Sequence, residues 1–380
     1  MADVYENGFF TIAATAAEDS NGGLFSDQGN PCLPMKLSKS NLYVAQEPAL
    51  TPRGGIPMLG FGQSPLLQRA WVFQERRLSS RVVHFAETQI IWECNSIWKS
   101  EDGCIDYDWT NESCSRDDTT DIHPFKKPIN DATADWQRLV AAYSQLSITY
   151  VKDKLPALAA IVTRTMQSRP DDEYIAGMWK KTILRDILWS CGSLFRSSLP
   201  RHKTKVPTWS WASTPGPVWF ALPNIFSATI TNVTYEPVGP VQLGSVTGAS
   251  IVLRGRSCPA TALPRGPVSN GVGIDLDPEE VPWPELFKTE FCQDRNAVIN
   301  APLSEAAKQL AVVFIGLDPI YKTAGWLGLV LRQVSAEEHE RVGRIELLFQ
   351  GVYKQTSVRF GYQAQRTFIS SLPIREFKII

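Results

Sequence analysis

The 380-residue chain carries almost no net charge: 38 lysines and arginines stand against 39 aspartates and glutamates. That balance argues against a general nucleic-acid-binding surface. No apolar stretch approaches the length of a membrane helix, and no basic segment followed by an apolar run opens the chain. A protein with no membrane span and no secretory leader is expected, with the cytoplasm as its compartment. Cysteines number seven, an odd count, and no two are spaced Cys-x-x-Cys. A disulfide framework is therefore not expected, and thiols stay reduced. Cys94, Cys104 and Cys114 recur at ten-residue intervals, yet nearby His123 stands alone, so no metal is expected. Asp106, Asp108 and Asp118 make no calcium loop. The phosphate-loop pattern of lysine followed by serine or threonine is missing, and Arg53-Gly54-Gly55 reads as plain loop. No cofactor is expected. Nor is there an internal repeat of the propeller or helical-solenoid kind.

What the chain has in excess is tryptophan, twelve in all, several of them in compact motifs. The densest is Gln68 to Cys94, QRAWVFQERRLSSRVVHFAETQIIWEC. Its period changes halfway. Trp71, Glu75 and Leu78, like Ala70 and Gln74, are spaced three or four apart, which predicts a short amphipathic helix over 68–78. Ser79-Ser80 breaks that pattern. Residues 81–86 and 88–94 then read as two short strands joined through Glu87-Thr88. Trp71, Phe73, Val83, Phe85 and Ile91 are read as packing residues. Gln74, Glu75 and Arg81 are polar groups beside an aromatic run and must be solvated or hydrogen-bonded, so they are candidates for a polar network. Glu75 is the candidate for a catalytic or ligand-binding carboxylate, with a core ion pair as the plainer reading.

This stretch resembles the last block of the fungal heterokaryon-incompatibility (HET) domain family, on Arg69, Trp71, Gln74, Glu75, Leu78, Ser79, Arg81, His84, Phe85, Trp92, Glu93 and Cys94. Met1, Val4, Tyr5, Ile12, Ala13, Ala14, Asp19, Ser20, Gly23, Leu24 and Phe25 fit an earlier part of that pattern. The family's first strand and following helical block would precede Met1. The resemblance therefore implies the C-terminal part of the domain only, with strand edges or apolar surface left uncovered. Within it, FFTIAAT reads as a buried strand or a short helix piece, and LYVAQ at 42–46 as a strand.

Residues 95–131 are polar and acidic and read as a long surface loop. Trp136, Leu139, Val140, Tyr143 and Leu146 fall at helical spacing and form a buried stripe. Asp153 is expected to cap the next helix, with Pro156 in its first turns and Leu158, Ile161, Val162 and Thr165 on its apolar face. These helices resemble the segment that follows the HET domain. So does 173–199, where Tyr174, Ala176, Gly177 and Trp179 match a motif that the family places on a helix. Pro207-Thr208-Trp209-Ser210-Trp211-Ala212-Ser213 is characteristic of these fungal proteins. Trp209 and Trp211 alternate, so both point to one side of a strand and Ser210 to the other; a core wedge is favoured over a stacking platform. No histidine is placed to activate Ser210 as a nucleophile.

Beyond 216, VWFAL, ATITNVTYEP, SIVLRGRSCP, LAVVFIGLD, GWLGLVLRQ, RVGRIELLF, SVRFG and RTFISS suit short strands. They predict an antiparallel sheet, as a barrel or a sandwich. Gly328, Leu329, Val330, Leu331, Arg341, Val342 and Gly343 match the final family segment. The expected fold class is α+β: an N-terminal α/β HET-domain remnant over 1–98, a polar linker over 99–131, central helices over 132–200 and a C-terminal antiparallel β-rich region over 201–380. The resemblance implies non-self recognition and cell-death signalling in fungi, through a protein partner or self-association. The family fold has been compared with Toll/interleukin-receptor-like domains, some of which cleave NAD. That gives an alternative enzymatic role with Glu75 as the acid, beside a degenerate, non-catalytic interaction module.

Overall fold

A computed structural model of the chain describes residues 2–25, 35–38, 41–44, 64–87, 89–101, 103, 106–108, 132–191, 206–221, 223–264, 272–276, 287–293, 310–318, 325–349 and 355–380. Arg53-Gly54-Gly55, Cys104, Cys114, Asp118 and His123, and most of the expected linker, lie outside them. The chain divides into two units, Met1–Ser168 and Arg169–Ile380. Both mix helix and sheet, and the larger sheet is C-terminal. Among the described residues no helix is long and apolar enough to cross a membrane.

In the first unit a short helix α1 (Ala2–Asn7) leads to strand β1 (Thr11–Ala13). The pair β2 (Met35–Lys36) and β3 (Tyr43–Val44) forms a small hairpin. Helix α2 (Ala70–Leu78) is followed by β4 (Arg81–Phe85), β5 (Ile90–Cys94), β6 (Ile97–Ser100) and β7 (Asp106–Asp108). The five-stranded sheet runs β1-β4-β5-β6-β7, with β1 parallel to β4 and the other neighbours antiparallel. Period 2 sorts its faces. Val82, His84, Ile91, Glu93 and Trp98 point into the core, while Arg81, Val83, Phe85, Ile90, Trp92 and Cys94 lie on the other side, half-buried or exposed.

Helices α3 (Ala132–Tyr143) and α4 (Ala159–Ser168) complete this unit. Trp136, Leu139, Val140 and Tyr143 are buried as their spacing predicts, and Leu146 is half-buried. Phe73 of α2 meets the Tyr143 ring edge-on at 5.4 Å. The end of α3 is also tied to the start of α2, because Ala70 N donates to Ser147 O and Ser147 N to Gln68 O. These ties explain why 132–168 group with the N-terminal sheet rather than with a separate helical region. Asp153 does not cap the following turn: Leu155 stands at the N-cap of Pro156–Leu158, with Pro156 at its start. The FFTIAAT run is a strand only at Thr11–Ala13, and it is buried only at Ala13 and Thr15: Phe9, Phe10 and Ile12 are exposed.

The second unit opens with a tight hairpin, β8 (Tyr174–Ile175) and β9 (Met178–Trp179), where a helix was expected. Ala176 and Gly177 both have positive φ, 48° and 96°. A two-residue hairpin turn needs that backbone, and a helix cannot contain it. Helix α5 (Ile183–Asp186), β10 (Trp189–Cys191) and β11 (Val218–Phe220) follow, the two strands paired. Trp209 and Trp211 do not lie on a strand: Trp211–Ser213 is a 3-10 turn with Ser210 at its N-cap.

Then come β12 (Ile225–Phe226), β13 (Thr229–Pro237), the 19-residue β14 (Val246–Pro264), β15 (Val272–Leu276), β16 (Phe287–Gln293), β17 (Leu310–Asp318), β18 (Gly325–Gln333), β19 (Glu338–Phe349), α6 (Gln355–Ser371) and β20 (Ile374–Ile379). The pairings β14–β17, β17–β18, β18–β19, β19–β20 and β20–β14 close a circuit, so the sheet is a barrel. Closure removes free edges from the strands in the ring. SVRFG and RTFISS belong to α6, not to strands. Over the longer window Gln365, Phe368, Ile369 and Leu372 recur at helical spacing, and Phe368, Ile369 and Leu372 pack with Val312, Phe314, Val330 and Ile345.

The ring closes through only two parallel partners, Glu338↔Lys378 and His339↔Ile379. Lys378 Nζ pairs with Glu338 at 2.8 Å, and the His339 ring meets Phe377 edge-on. Burial holds His339 below its ordinary 6.5, partly opposed by a backbone hydrogen bond with Lys378. The native state thus binds fewer protons than the unfolded chain just below pH 6.5. Stability contributed here is full above that value and falls as pH drops through 6.5 toward the native pKa. His339→Gln is expected to flatten that loss, measured by denaturant unfolding of both proteins between pH 7.5 and pH 5.

Candidate functional site

Two polar clusters form around the Gln-Glu helix, and they are distinct. The first is sealed in the core. Glu93 on β5 is 1% exposed and His84 on β4 0%. The register sets Val82 opposite Glu93 and His84 opposite Ile91, so His84 and Glu93 are diagonal neighbours on one face. Glu93 Oε2 accepts from Arg76 Nε at 2.7 Å and lies 2.9 Å from His84 Nε2. The other ring nitrogen, His84 Nδ1, is 3.0 Å from Thr15 Oγ1, which is also fully buried. Arg77 lies beside this cluster. Burial lowers its pKa to about 10, with Asp135 and Glu93 opposing that shift and Arg138 adding to it.

The chain Thr15–His84–Glu93 has the residue types of a hydroxyl, base and orienting acid. A nucleophile must reach its substrate, however, and all three side chains are closed to solvent. What the arrangement can do is hold a buried carboxylate between a guanidinium and an imidazole. Such a set is costly to break.

The second cluster is partly open and contains Glu75. Its carboxyl is half-buried, with the Tyr5 phenol of α1 beside it. Burial raises the Glu75 pKa, with the Tyr5 hydrogen bond and Arg69 pulling it back. Burial also raises Tyr5, and the adjacent Glu75 charge adds to that. Arg69 is exposed. Arg81 does not join either cluster: it is exposed, donates to Phe9 O at 3.2 Å and sits over the Phe9 ring at 5.4 Å. The expected grouping of Gln74, Glu75 and Arg81 is thus split three ways. Gln74 turns inward, 3% exposed, and its Oε1 accepts from Ala160 N at 3.3 Å. It satisfies one of the backbone N–H groups that the start of α4 leaves without a helical partner.

The remaining motif residues have local roles. Ser79 Oγ donates to Glu75 O and meets Thr11 Oγ1 at 2.7 Å, which ties the end of α2 to β1. Cys94 Sγ accepts from Ser96 N and Ile97 N in the turn between β5 and β6. Trp71 and Trp92 are half-buried, and Trp92 lies on the sheet face away from Glu93. The large buried indole of this sheet is Trp98, which had no place in the expected motif. Tyr5 has a place only in the family pattern and not as a neighbour of Glu75, and the sequence does not mark Thr15, Arg76 or Arg77 as site residues. Thr15 carries no sequence signal, since a threonine among alanines looks like any loop. The His84–Glu93 pair did have one: Val82/His84 and Ile91/Glu93 have the same parity in two adjacent strands.

In the second unit Trp209, Ser210 and Trp211 are fully buried. Ser210 Oγ donates to Ala176 O at 2.5 Å and Trp211 Nε1 to Gly177 O at 2.8 Å, so both carbonyls of the left-handed hairpin turn are held by one motif. Trp189 Nε1 donates to Trp209 O. Arg341, itself fully buried, lies 3.4 Å over the Trp189 ring and donates to Trp189 O. These residues form a structural lock, and no stacking platform is presented to a ligand.

Compared with protein-family models, with curated proteins and with solved structures, the chain finds no match in any of the three.

Proposed function

We propose that this chain is a cytoplasmic fungal protein of non-self recognition, of the heterokaryon-incompatibility kind, and that its N-terminal unit works by protein contact. The family part of this reading rests on the motif likeness alone. The contact part is supported by one observation above others: Phe9, Phe10 and Ile12, 78%, 45% and 54% exposed, surround β1, an outer strand of the five-stranded sheet among the described residues. Val4 and Phe25 nearby in sequence are also exposed. An edge strand flanked by apolar side chains is suited to adding a strand from another chain. Self-association is the form of contact to test first. Mass measured by light scattering is expected to rise with concentration, and Ile12→Lys, which puts a charge on the edge, is expected to hold the protein monomeric. An unvarying monomer mass in both proteins would remove the contact reading.

A second reading, cleavage of NAD, draws support from Glu75, a carboxyl whose pKa is raised by burial. A raised pKa suits a general acid at a glycosidic bond. Purified protein should then consume NAD, and Glu75→Gln should not. Equal turnover by both would take Glu75 out of the mechanism.

A further inference from the structure

Helix α1 is held differently from every other helix of its unit. It has no buried residue, and Val4 in its middle is 71% exposed. Its ties to α4 are polar. Arg164 on α4 donates through Nε to Glu6 at 2.7 Å and through Nη2 to Asp3 at 2.7 Å, and also pairs with the second Glu6 oxygen. Tyr5 between them lies beside Glu75 on α2, against which α1 packs. One side of the clasp is open to water: the Asp3 side chain is 82% exposed and that of Arg164 32%. Ion pairs in such a setting are weak and screened by salt. Immediately after α1 the chain runs through the exposed Phe9 and Phe10 into β1.

We infer that α1 is a releasable strap, clasped to α4 by Arg164 and to α2 by Tyr5, that covers Glu75 and frees it on release. Little apolar packing has to be broken for the strap to lift, because α1 has no fully buried side chain and only Ala2, Tyr5 and Glu6 are half-buried. The six-residue helix is also too short to persist once detached. Release therefore unwinds α1, removes the phenol from Glu75 and loosens the approach to the edge strand in one step. The Arg164 guanidinium is the point at which salt or a competing acidic group would act. This inference stands apart from the reading of the edge as a contact surface, since it concerns access to Glu75 whether or not the protein self-associates.

The test is hydrogen–deuterium exchange of residues 2–7 together with carbodiimide labelling of Glu75, on the whole chain. Arg164→Gln is expected to speed exchange in 2–7 roughly fivefold or more and to raise Glu75 labelling in parallel, with high salt acting in the same direction on the wild type. Asp3→Asn/Glu6→Gln, altered at one exposed and one half-buried position, is expected to do the same while β4 and β5 stay protected. It decides the matter should Arg164→Gln disturb α4 itself. Tyr5→Phe should raise labelling of Glu75 with a smaller effect on exchange. Exchange and labelling unchanged in the double variant and in high salt would overturn the strap.

Discussion

Glu93→Ala is expected to destabilise the N-terminal unit by about 3–5 kcal/mol, more than any other single change of a charged residue there. The carboxylate is nearly fully buried between Arg76 and His84. Its removal takes the carboxylate from the Arg76 guanidinium, 19% exposed at the side chain, and from an imidazole and a threonine hydroxyl whose order depended on it. Desolvation of those groups is not recovered, so the loss exceeds the value of an ordinary ion pair. Hydrogen exchange should show protection lost across β4, β5 and β6, and denaturant unfolding should give the magnitude. Glu75→Ala is the control: half-buried, and beside a phenol on a helix with no fully buried residue, it should cost under about 1 kcal/mol. Equal losses in the two variants would mean that the buried network does not organise this sheet.

Trp211→Ala is expected to cost the C-terminal unit about 3–5 kcal/mol. The indole is fully buried and its Nε1 supplies the hydrogen bond to Gly177 O. Truncation opens a cavity and leaves that carbonyl, in a turn with a left-handed alanine, without the donor that fixes it. For a unit of this size the loss corresponds to a fall in Tm of about 6–20 °C. Protection should drop first in β8, β9 and β10. Trp211→Phe, which keeps most of the volume and loses the donor, should cost a fraction of that, and the difference between the two separates packing from the hydrogen bond. A wild-type Tm in Trp211→Ala would show that the two motifs do not hold each other.

Which parts of this were legible in advance follows the range of the forces involved. Residues 68–94 were read as helix, break and two strands because each of those states is set by its own local period. Ala70–Leu78, Arg81–Phe85 and Ile90–Cys94 follow that reading. The site within it is not legible there, because Glu75 and Glu93 look alike in a string of letters. Only the antiparallel register puts Glu93 beside His84 and turns its side chain inward. For the same reason Arg81, three residues after Leu78, was grouped with Glu75 although the strand carries it to the exposed face. SVRFG and RTFISS each alternate well enough for a strand when taken alone. The helical spacing of Gln365, Phe368, Ile369 and Leu372 needs the longer window and a barrel to pack against.

The Tyr174–Trp179 and Pro207–Ser213 motifs make the same point from the other side. Their compositions stood out in the sequence, yet a tryptophan-rich septet specifies burial without specifying what it is buried against. Its partner is a turn some thirty residues earlier, and the match depends on carbonyl directions that positive φ creates.

The sequence by itself determined an α+β protein, the position of the central helix and hairpin, the buried stripe of α3 and the strand-rich C-terminal half, since period and turn chemistry act over a few residues. Tertiary structure decided which glutamate is sealed and which is covered by Tyr5, that the C-terminal strands close into a ring, and that Trp209, Ser210 and Trp211 grip a turn. Those outcomes depend on register and on contacts between residues far apart in the chain, and no local pattern encodes either.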